Sequence, residues 1–165
     1  MRTLVLYSSR TGNTKKVAQA IAGALPSGTP CLPVSQAPAD LAAYDLVFLG
    51  YWVDRGTANA EARAVMEGLH NEHIALFATL GADPRSEHGK MCLEHGMALL
   101  PDQDAIVGTF LCQGAVDLRK MFALADRFLY QAKEAGRNRV HCEPFDDQKA
   151  ETSLHEIGNL MDKSS

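Results

Sequence analysis

No hydrophobic run in this chain approaches the roughly 20 apolar residues of a membrane-spanning helix. Nor does a charged and apolar leader precede the first structured pattern. Met1 to Leu6 runs straight into a strand-like segment, so neither a signal peptide nor a membrane span is expected. The four cysteines, Cys31, Cys92, Cys112 and Cys142, are widely spaced and form no Cys-x-x-Cys pair. That spacing argues against a zinc or iron–sulfur site, and without a secretory signal it leads to reduced thiols in a cytoplasmic protein. A basic excess is also missing. The chain carries 16 Lys and Arg against 20 Asp and Glu, a net charge of -4, which opposes a nucleic-acid footprint and permits docking on a basic protein partner. Neither Gly-x-x-x-x-Gly-Lys-Ser/Thr nor Gly-x-Gly-x-x-Gly occurs, so the nucleoside-triphosphate loop and the dinucleotide fingerprint are excluded. There is no internal repeat, no low-complexity segment, and a single tryptophan.

What is present is a soluble globular composition, 46% hydrophobic and 22% charged over 165 residues, enough for one domain with a real core. Strand and helix patterns alternate five times. Strands are expected at Thr3–Tyr7, Cys31–Val34, Asp45–Gly50, Ile74–Leu80 and Ala105–Cys112, the second broken by prolines and therefore placed at an edge. Helical spacing links Val17, Ala18, Ile21, Ala22 and Leu25, then Ala58, Ala62, Val65, Met66 and Leu69. Pro38 to Ala43 reads as a helical turn or two, and Ser86 as the cap of a helix reaching about Leu99. Leu118, Met121, Phe122, Ala125, Leu129 and Ala132 form the stripe of a last helix, ended by Gly136. Buried strands with helical crossovers imply a parallel sheet covered on both faces, with ligands at the carboxyl ends of its strands.

Three loops would meet at that edge, and the unusual residues fall in them. After Val5-Leu6-Tyr7, the run Ser8-Ser9-Arg10-Thr11-Gly12-Asn13-Thr14 delivers hydroxyls and a glycine onto a helix start. Unpaired N–H groups and the helix dipole make such a start an anion seat, and Gly12 lets the backbone close around one phosphate. The second loop, Gly50-Tyr51-Trp52-Val53-Asp54-Arg55-Gly56-Thr57, holds the tryptophan. Trp52 beside a phosphate seat suits stacking on a flat heteroaromatic ring; the alternative is a cap on the sheet. The third, Thr79-Leu80-Gly81-Ala82-Asp83-Pro84, suits backbone contacts to a ring edge and equally a tight turn before the Ser86 helix.

The run Val5-Leu6-Tyr7-x-Ser9-x-x-Gly12-x-Thr14-x-x-x-Ala18-x-x-Ile21 resembles the phosphate-loop signature of flavodoxins, which bind flavin mononucleotide (FMN). The resemblance covers roughly residues 1–135. It implies an α/β, flavodoxin-like three-layer sandwich with a five-stranded parallel sheet in the order 2-1-3-4-5. Residues 1–140 would form the FMN-binding domain and 141–165 an extension. The implied cofactor contacts are Ser9, Arg10, Thr11, Gly12, Asn13 and Thr14 around the phosphate. Around the ring they are Tyr51, Trp52, Val53, Asp54, Gly56, Thr79, Leu80, Gly81 and Asp83. No catalytic or metal-ligating residue is assigned. The Gly-Tyr-Trp-Val-Asp-Arg-Gly-Thr run also looks like a subgroup of small anaerobe flavodoxin-like proteins, including those associated with bilirubin reductases.

Two features depart from the family pattern. Many flavodoxins carry a glycine near the tryptophan whose peptide can flip to bond the reduced flavin, whereas Val53 stands here and a β-branched residue resists positive φ. Strong stabilisation of one-electron-reduced flavin is therefore in doubt. Many relatives also place a second aromatic in the third loop, and residues 79–86 contain none. A phosphate dianion, Asp54 and Asp83 would disfavour the anionic reduced flavin and give a low reduction potential. Arg10 and Arg55 oppose this, or are solvated surface charges.

Toward the C-terminus, Ala125-Asp126-x-x-Leu129-Tyr130-x-Ala132-Lys133-x-x-Gly136-Arg137-Asn138-Arg139-Val140 is similar to the closing helix and strand of diguanylate cyclase domains. Their Gly-Gly-Asp/Glu-Glu-Phe turn is absent, so no such activity is carried over. Asn138 to Glu143 suggests a short strand, and Leu154, Ile157 and Met161 an amphipathic helix. His88 and His95 read as a solvated helix face, too far apart for one metal without a third ligand. His141-Cys142 reads as structural. The reading is of an FMN-binding, low-potential electron carrier working between redox partner proteins, a reductase or an electron-accepting enzyme. A small FMN-dependent reductase acting on a quinone, tetrapyrrole or similar acceptor is the alternative. A receiver-type module without flavin would need an acidic cluster where Ser8 and Ser9 stand.

Overall fold

The computed structural model describes residues 1–114, 125–131 and 133. Its elements are β1 (Thr3–Tyr7), α1 (Asn13–Ala24), β2 (Cys31–Pro33), β3 (Leu46–Asp54), β4 (Thr57–Ala58), α2 (Ala60–Met66), β5 (Ile74–Leu80), α3 (Glu87–Met97) and β6 (Ile106–Gln113), with helix α4 at residues 125–131. β2, β1, β3, β5 and β6 lie side by side in that order, every neighbouring pair parallel, and β4 pairs antiparallel with the end of β3. Counting the five parallel strands alone, this is the order 2-1-3-4-5 of a flavodoxin-like α/β sandwich.

Alternation along each strand divides the core in two. Leu4, Leu6, Val47, Leu49, Tyr51 and Leu76 face the layer of α2, with Ala62 and Met66, and also pack with Leu100. Val5, Phe48 and Phe77 face α1, with Val17, Ala18 and Ile21, and α4, with Ala125 and Phe128. Leu4, Leu6, Val47, Phe48 and Leu49 are wholly buried. Each buried Leu, Val or Phe side chain contributes about 1.5–3 kcal/mol by removal from water. Gly50 is required by packing, because a Cβ there would stand 2.0 Å from the Phe77 ring. Proline at β2 is tolerated because β2 is an edge strand.

Three expectations are corrected. The helical turn lies at Val34–Gln36, before Pro38–Ala43, since Val34 buries its side chain while the later segment is tied down by Asn71. The Asn71 amide donates to the carbonyls of Leu41 (2.7 Å) and Tyr44 (2.8 Å). β3 does not stop at Gly50 but runs to Asp54, because Tyr51, Trp52 and Val53 favour extended backbone and find a partner in β4. Helix α2 is shorter than the apolar spacing suggests, as Ala58 belongs to β4 and Leu69 follows the last turn. Ser86 caps α3 as expected, its Oγ accepting from Gly89 N–H at 3.1 Å.

The start and end of the last helix, the strand at 138–143, the helix near 154–161, His141-Cys142, the extension 141–165 and most of the cyclase-like segment lie outside the described residues. Among the described residues, no helix is long and apolar enough to cross a membrane, and no group of three potential ligands could hold a metal ion.

Candidate functional site

The loop from β1 to α1 is closed by its own polar groups. Ser8 N–H donates to Gly50 O at 2.8 Å, which fixes the end of β1 against β3. The buried Ser8 hydroxyl donates to Glu61 Oε2 (2.9 Å) and accepts from Asn59 Nδ2 (2.8 Å). Ser9 Oγ accepts from Gly12 N–H at 3.1 Å, and Asn13 Nδ2 donates to Thr11 Oγ1 at 3.3 Å. Gly12 is the residue before the helix and has φ 88°, a conformation that glycine adopts without strain.

Lys16 N–H to Gly12 O (3.0 Å) is the first i to i−4 bond of α1. The N–H groups of Asn13, Thr14 and Lys15 therefore lack intrahelical acceptors. No side chain caps this helix and no acid stands in its first turn, so nothing there competes for an anion. Thr14 Oγ1 and Thr79 Oγ1 share a buried hydrogen bond of 2.8 Å, which ties the first turn of α1 to the end of β5. If Thr79 is the donor, the Thr14 O–H is released toward the loop. An uncapped, acid-free helix start behind a left-handed glycine fits a phosphate monoester, the group by which FMN would be held here.

The second loop is a hairpin. Val53 pairs with Ala58 and Asp54 with Thr57, and Arg55 (φ 50°) and Gly56 (φ 83°) make the two-residue turn. Positive φ at both central residues is the signature of a type I′ connection. Asn59 N–H holds the carbonyl of Trp52 at 3.2 Å, and His95 Nδ1 meets the carbonyl of Gly56 at 3.0 Å. Since a carbonyl only accepts, His95 carries its proton on Nδ1 in this contact.

Successive residues of β3 point to opposite sides. Trp52 is half-buried, with the Arg10 guanidinium 5.4 Å above its ring. Tyr51 is wholly buried in the core, so its side chain faces away from the edge where Trp52 stands. Its hydroxyl abuts the backbone of Gly96, where a Cβ would come within 2.0 Å, and it has no hydrogen-bond partner among the described residues. Burial pushes its pKa well above the usual phenol range.

The third loop brings Leu80 and Gly81 to the edge, and Asp83 bonds within the turn that leads into α3. Asp83 Oδ1 accepts from Arg85 N–H at 2.9 Å, and its carbonyl accepts from Ser86 Oγ at 2.6 Å. That bonding holds the Asp83 carboxyl below its ordinary pKa. Asp83 thus helps to start α3. Gly81 is exposed, and Gln113 Nε2 and Gly114 N–H donate to Gly81 O (3.4 Å) and Leu80 O (3.1 Å). Gly114 also lies against Asn13, whose Nδ2 would be 2.9 Å from a Cβ there. The β6 end therefore joins the phosphate loop, a contact that nothing in the sequence spacing announces.

Between the hairpin turn, the Leu80–Ala82 segment and α3 lies a cleft of about 410 Å³. Val53, Gly56, Leu80 and Gly81 line it, as does Arg55, and α3 adds His88, Met91, Cys92 and His95. Both histidines are exposed, as their reading as a solvated helix face expects, and they stand at the rim of this cleft, where α3 packs against β4. The Cys92 thiol, 3.6 Å from His88 Nε2, is raised in pKa by burial. Of the fifteen residues expected around a flavin, the first loop supplies its six together, and the ring residues split between the Trp52 side and this cleft.

A family model described as the flavodoxin domain matches residues 4–151. The chain belongs to the flavodoxin family. Within it, the chain is 40% identical over 119 residues to the flavodoxin-like domain-containing protein BilS of Clostridioides difficile strain CD3, a match covering 70% of this chain and 68% of that protein. The fold is similar to that of two-electron reduced Megasphaera elsdenii flavodoxin in solution, with a TM-score of 0.57 at 19% identity over 79% of this chain and 98% of that one. It is also similar to a Lactobacillus acidophilus NCFM flavoprotein in complex with FMN, with a TM-score of 0.51 at 19% identity over 67% of this chain and 92% of that one.

Proposed function

We propose that this chain is an FMN-binding, low-potential electron-transfer protein that shuttles electrons between redox partner proteins in the cytoplasm. The observation that carries this reading is the uncapped, acid-free start of α1 standing beside the only tryptophan. Bound there, FMN would supply the redox chemistry, and the chain would supply binding, orientation and electrostatics. The backbone N–H groups of Asn13, Thr14 and Lys15, with the hydroxyls of Ser9, Thr11 and Thr14, hold the phosphate. Thr79 orients the Thr14 hydroxyl. Trp52 and the Gly81 backbone flank the ring, with Val53, Asp54 and Gly56 along its polar edge.

The potential follows from charge. A phosphate dianion and Asp54 oppose a further negative charge on the ring, whereas the Asp83 carboxylate is paired with Arg85 and contributes little. The three described cysteines are free thiols, consistent with a reducing compartment. A small FMN-dependent reductase acting directly on a quinone, tetrapyrrole or similar acceptor is the second reading, and the cleft beside the Gly81 loop favours it.

Purification in the presence of FMN tests the reading: a yellow protein with one equivalent of FMN is expected. A colourless chain that takes up no added FMN would overturn both redox readings. Turnover separates them, because reduction of a small acceptor by the loaded protein with no partner protein present favours the reductase.

A further inference from the structure

Asn59 does not do what its position invites. It stands immediately before α2 in extended backbone (φ -61°, ψ 157°), where an asparagine ordinarily caps the helix with its side chain. No such bond forms. The side chain, 3% exposed, reaches back to the phosphate loop, where its Nδ2 donates to Ser8 Oγ at 2.8 Å.

Glu61, in the first turn of α2, takes the same hydroxyl. The single Ser8 proton goes to its carboxylate at 2.9 Å, an acceptor only, so the other neighbour of Ser8 must be a donor. That requirement turns the Asn59 amide with Nδ2 toward Ser8. It leaves Asn59 Oδ1 buried, with no hydrogen-bond partner among the described residues. The forgone cap and the orphaned oxygen both cost stability. A grip kept at that cost is explained by a use outside folding.

The backbone of the same residue holds the other side. Asn59 N–H donates to the Trp52 carbonyl at 3.2 Å, and Ser8 N–H donates to Gly50 O at 2.8 Å. The link Ser8–Asn59–Trp52 thus runs from the phosphate loop to the strand end that carries the tryptophan. We propose that Asn59 is a positioning residue that sets the spacing between the phosphate seat and the Trp52 edge, with Glu61 and Ser8 fixing its amide. The proposal rests on the FMN reading above. A ligand that spans two half-sites gains when they are held at the correct separation, because its second contact becomes intramolecular. A ligand that fills only one gains nothing. FMN spans both, whereas inorganic phosphate and riboflavin each fill one.

The test compares these three ligands on the full chain, unaltered and as Asn59→Ser. Serine is a good cap, and its hydroxyl ends one bond short of the amide nitrogen, so the variant cuts the link without weakening α2. Chemical denaturation of the unloaded variant is expected to give a midpoint equal to or above that of the unaltered protein. FMN affinity should fall by about tenfold or more, while those for phosphate and riboflavin stay within about twofold. Ser8→Ala should weaken FMN as well, and the double variant no further than the worse single one, because both changes cut the same link. An Asn59→Ser protein that binds FMN as tightly as the unaltered chain would overturn the proposal. So would a lower midpoint with all three affinities falling together, which would mean a folding role only. If the unaltered chain takes up no FMN, the FMN reading fails and this proposal with it. If it takes up FMN and Asn59→Ser does so equally, the proposal alone fails.

Discussion

The guanidinium of Arg10 lies 5.4 Å above the ring of Trp52, so the phosphate loop and the β3 hairpin touch through a cation–π pair before any ligand arrives. At a partly exposed site such a pair is worth about 0.5–1 kcal/mol. A flavin ring stacking on that face must displace Arg10 or add itself beside it. Because Trp52 is the only tryptophan in the chain, its emission reports the event without interference. Titration with FMN is expected to quench it, and Arg10→Gln to shift the emission of the unloaded protein while lowering stability by less than about 1 kcal/mol. Emission that ignores FMN in a protein that binds it would place the ring away from Trp52.

The Thr14–Thr79 hydroxyl pair gives a second test. Both side chains are buried, and their 2.8 Å bond joins α1 to β5. Thr14→Val leaves the Thr79 hydroxyl unsatisfied, a cost of about 1–3 kcal/mol, whereas changing both to Val removes the orphan and should cost less than the two single changes summed. Chemical denaturation of the four proteins reads this coupling. FMN affinity should fall in every variant lacking the Thr14 hydroxyl, including the well-folded double variant.

Val53 and the Trp52 carbonyl define the redox prediction. Val53 is paired with Ala58, and Asn59 N–H occupies the Trp52 carbonyl at 3.2 Å. A peptide held at both ends by the hairpin ladder, with a β-branched residue after it, does not turn over easily. Reductive titration of the FMN-loaded protein is therefore expected to pass from oxidised to fully reduced with little one-electron-reduced flavin. Val53→Gly should raise that fraction. A large blue intermediate in the unaltered protein would refute the inference.

Alkaline pH should act on two acids held away from water, the half-buried Cys112 thiol and the buried Tyr51 phenol. Burial raises the Cys112 thiol from 9.0 to about 12, and raises the Tyr51 phenol further. In the unfolded chain both groups ionise earlier, so the folded state binds more protons in this range and stability falls as pH rises. The contribution is whole below about pH 9 and is lost as pH climbs through about 12. Cys112→Ala should flatten the first part of that decline in thermal melts. Tyr51→Phe should flatten the part beginning near pH 10 and also remove an unpaired buried hydroxyl, leaving stability at pH 7 unchanged or higher. Destabilisation of the Phe variant at pH 7 would mean that the hydroxyl has a partner.

Much of this molecule could be read from its residues. The apolar pairs of β1, β3 and β5, the glycine at position 12 and the helical spacing from Val17 to Leu25 define the strands, the first helix and the anion seat, because each is a local pattern, whereas the strand order came only from the resemblance to flavodoxins. Contacts between distant segments were not legible. The pairing of Val53 with Ala58 turns an apparent loop into an antiparallel arm, and only that arm shows which of Tyr51 and Trp52 faces the ligand edge. His88 and His95 read as a solvent face and are exposed, but that the hairpin borders them was not legible from their spacing. Asn59 and Glu61, which grip Ser8, carry no motif at all.

The extension of β3 beyond Gly50 also constrains how such a site can diversify. Its side chains alternate between the Trp52–Arg10 compartment and the cleft wall at Val53, so inserting or deleting one residue here would exchange the contents of the two compartments at a stroke. Substitution can tune either chamber alone; a single-residue length change cannot. Viable length variants of this arm are therefore expected to come in steps of two residues.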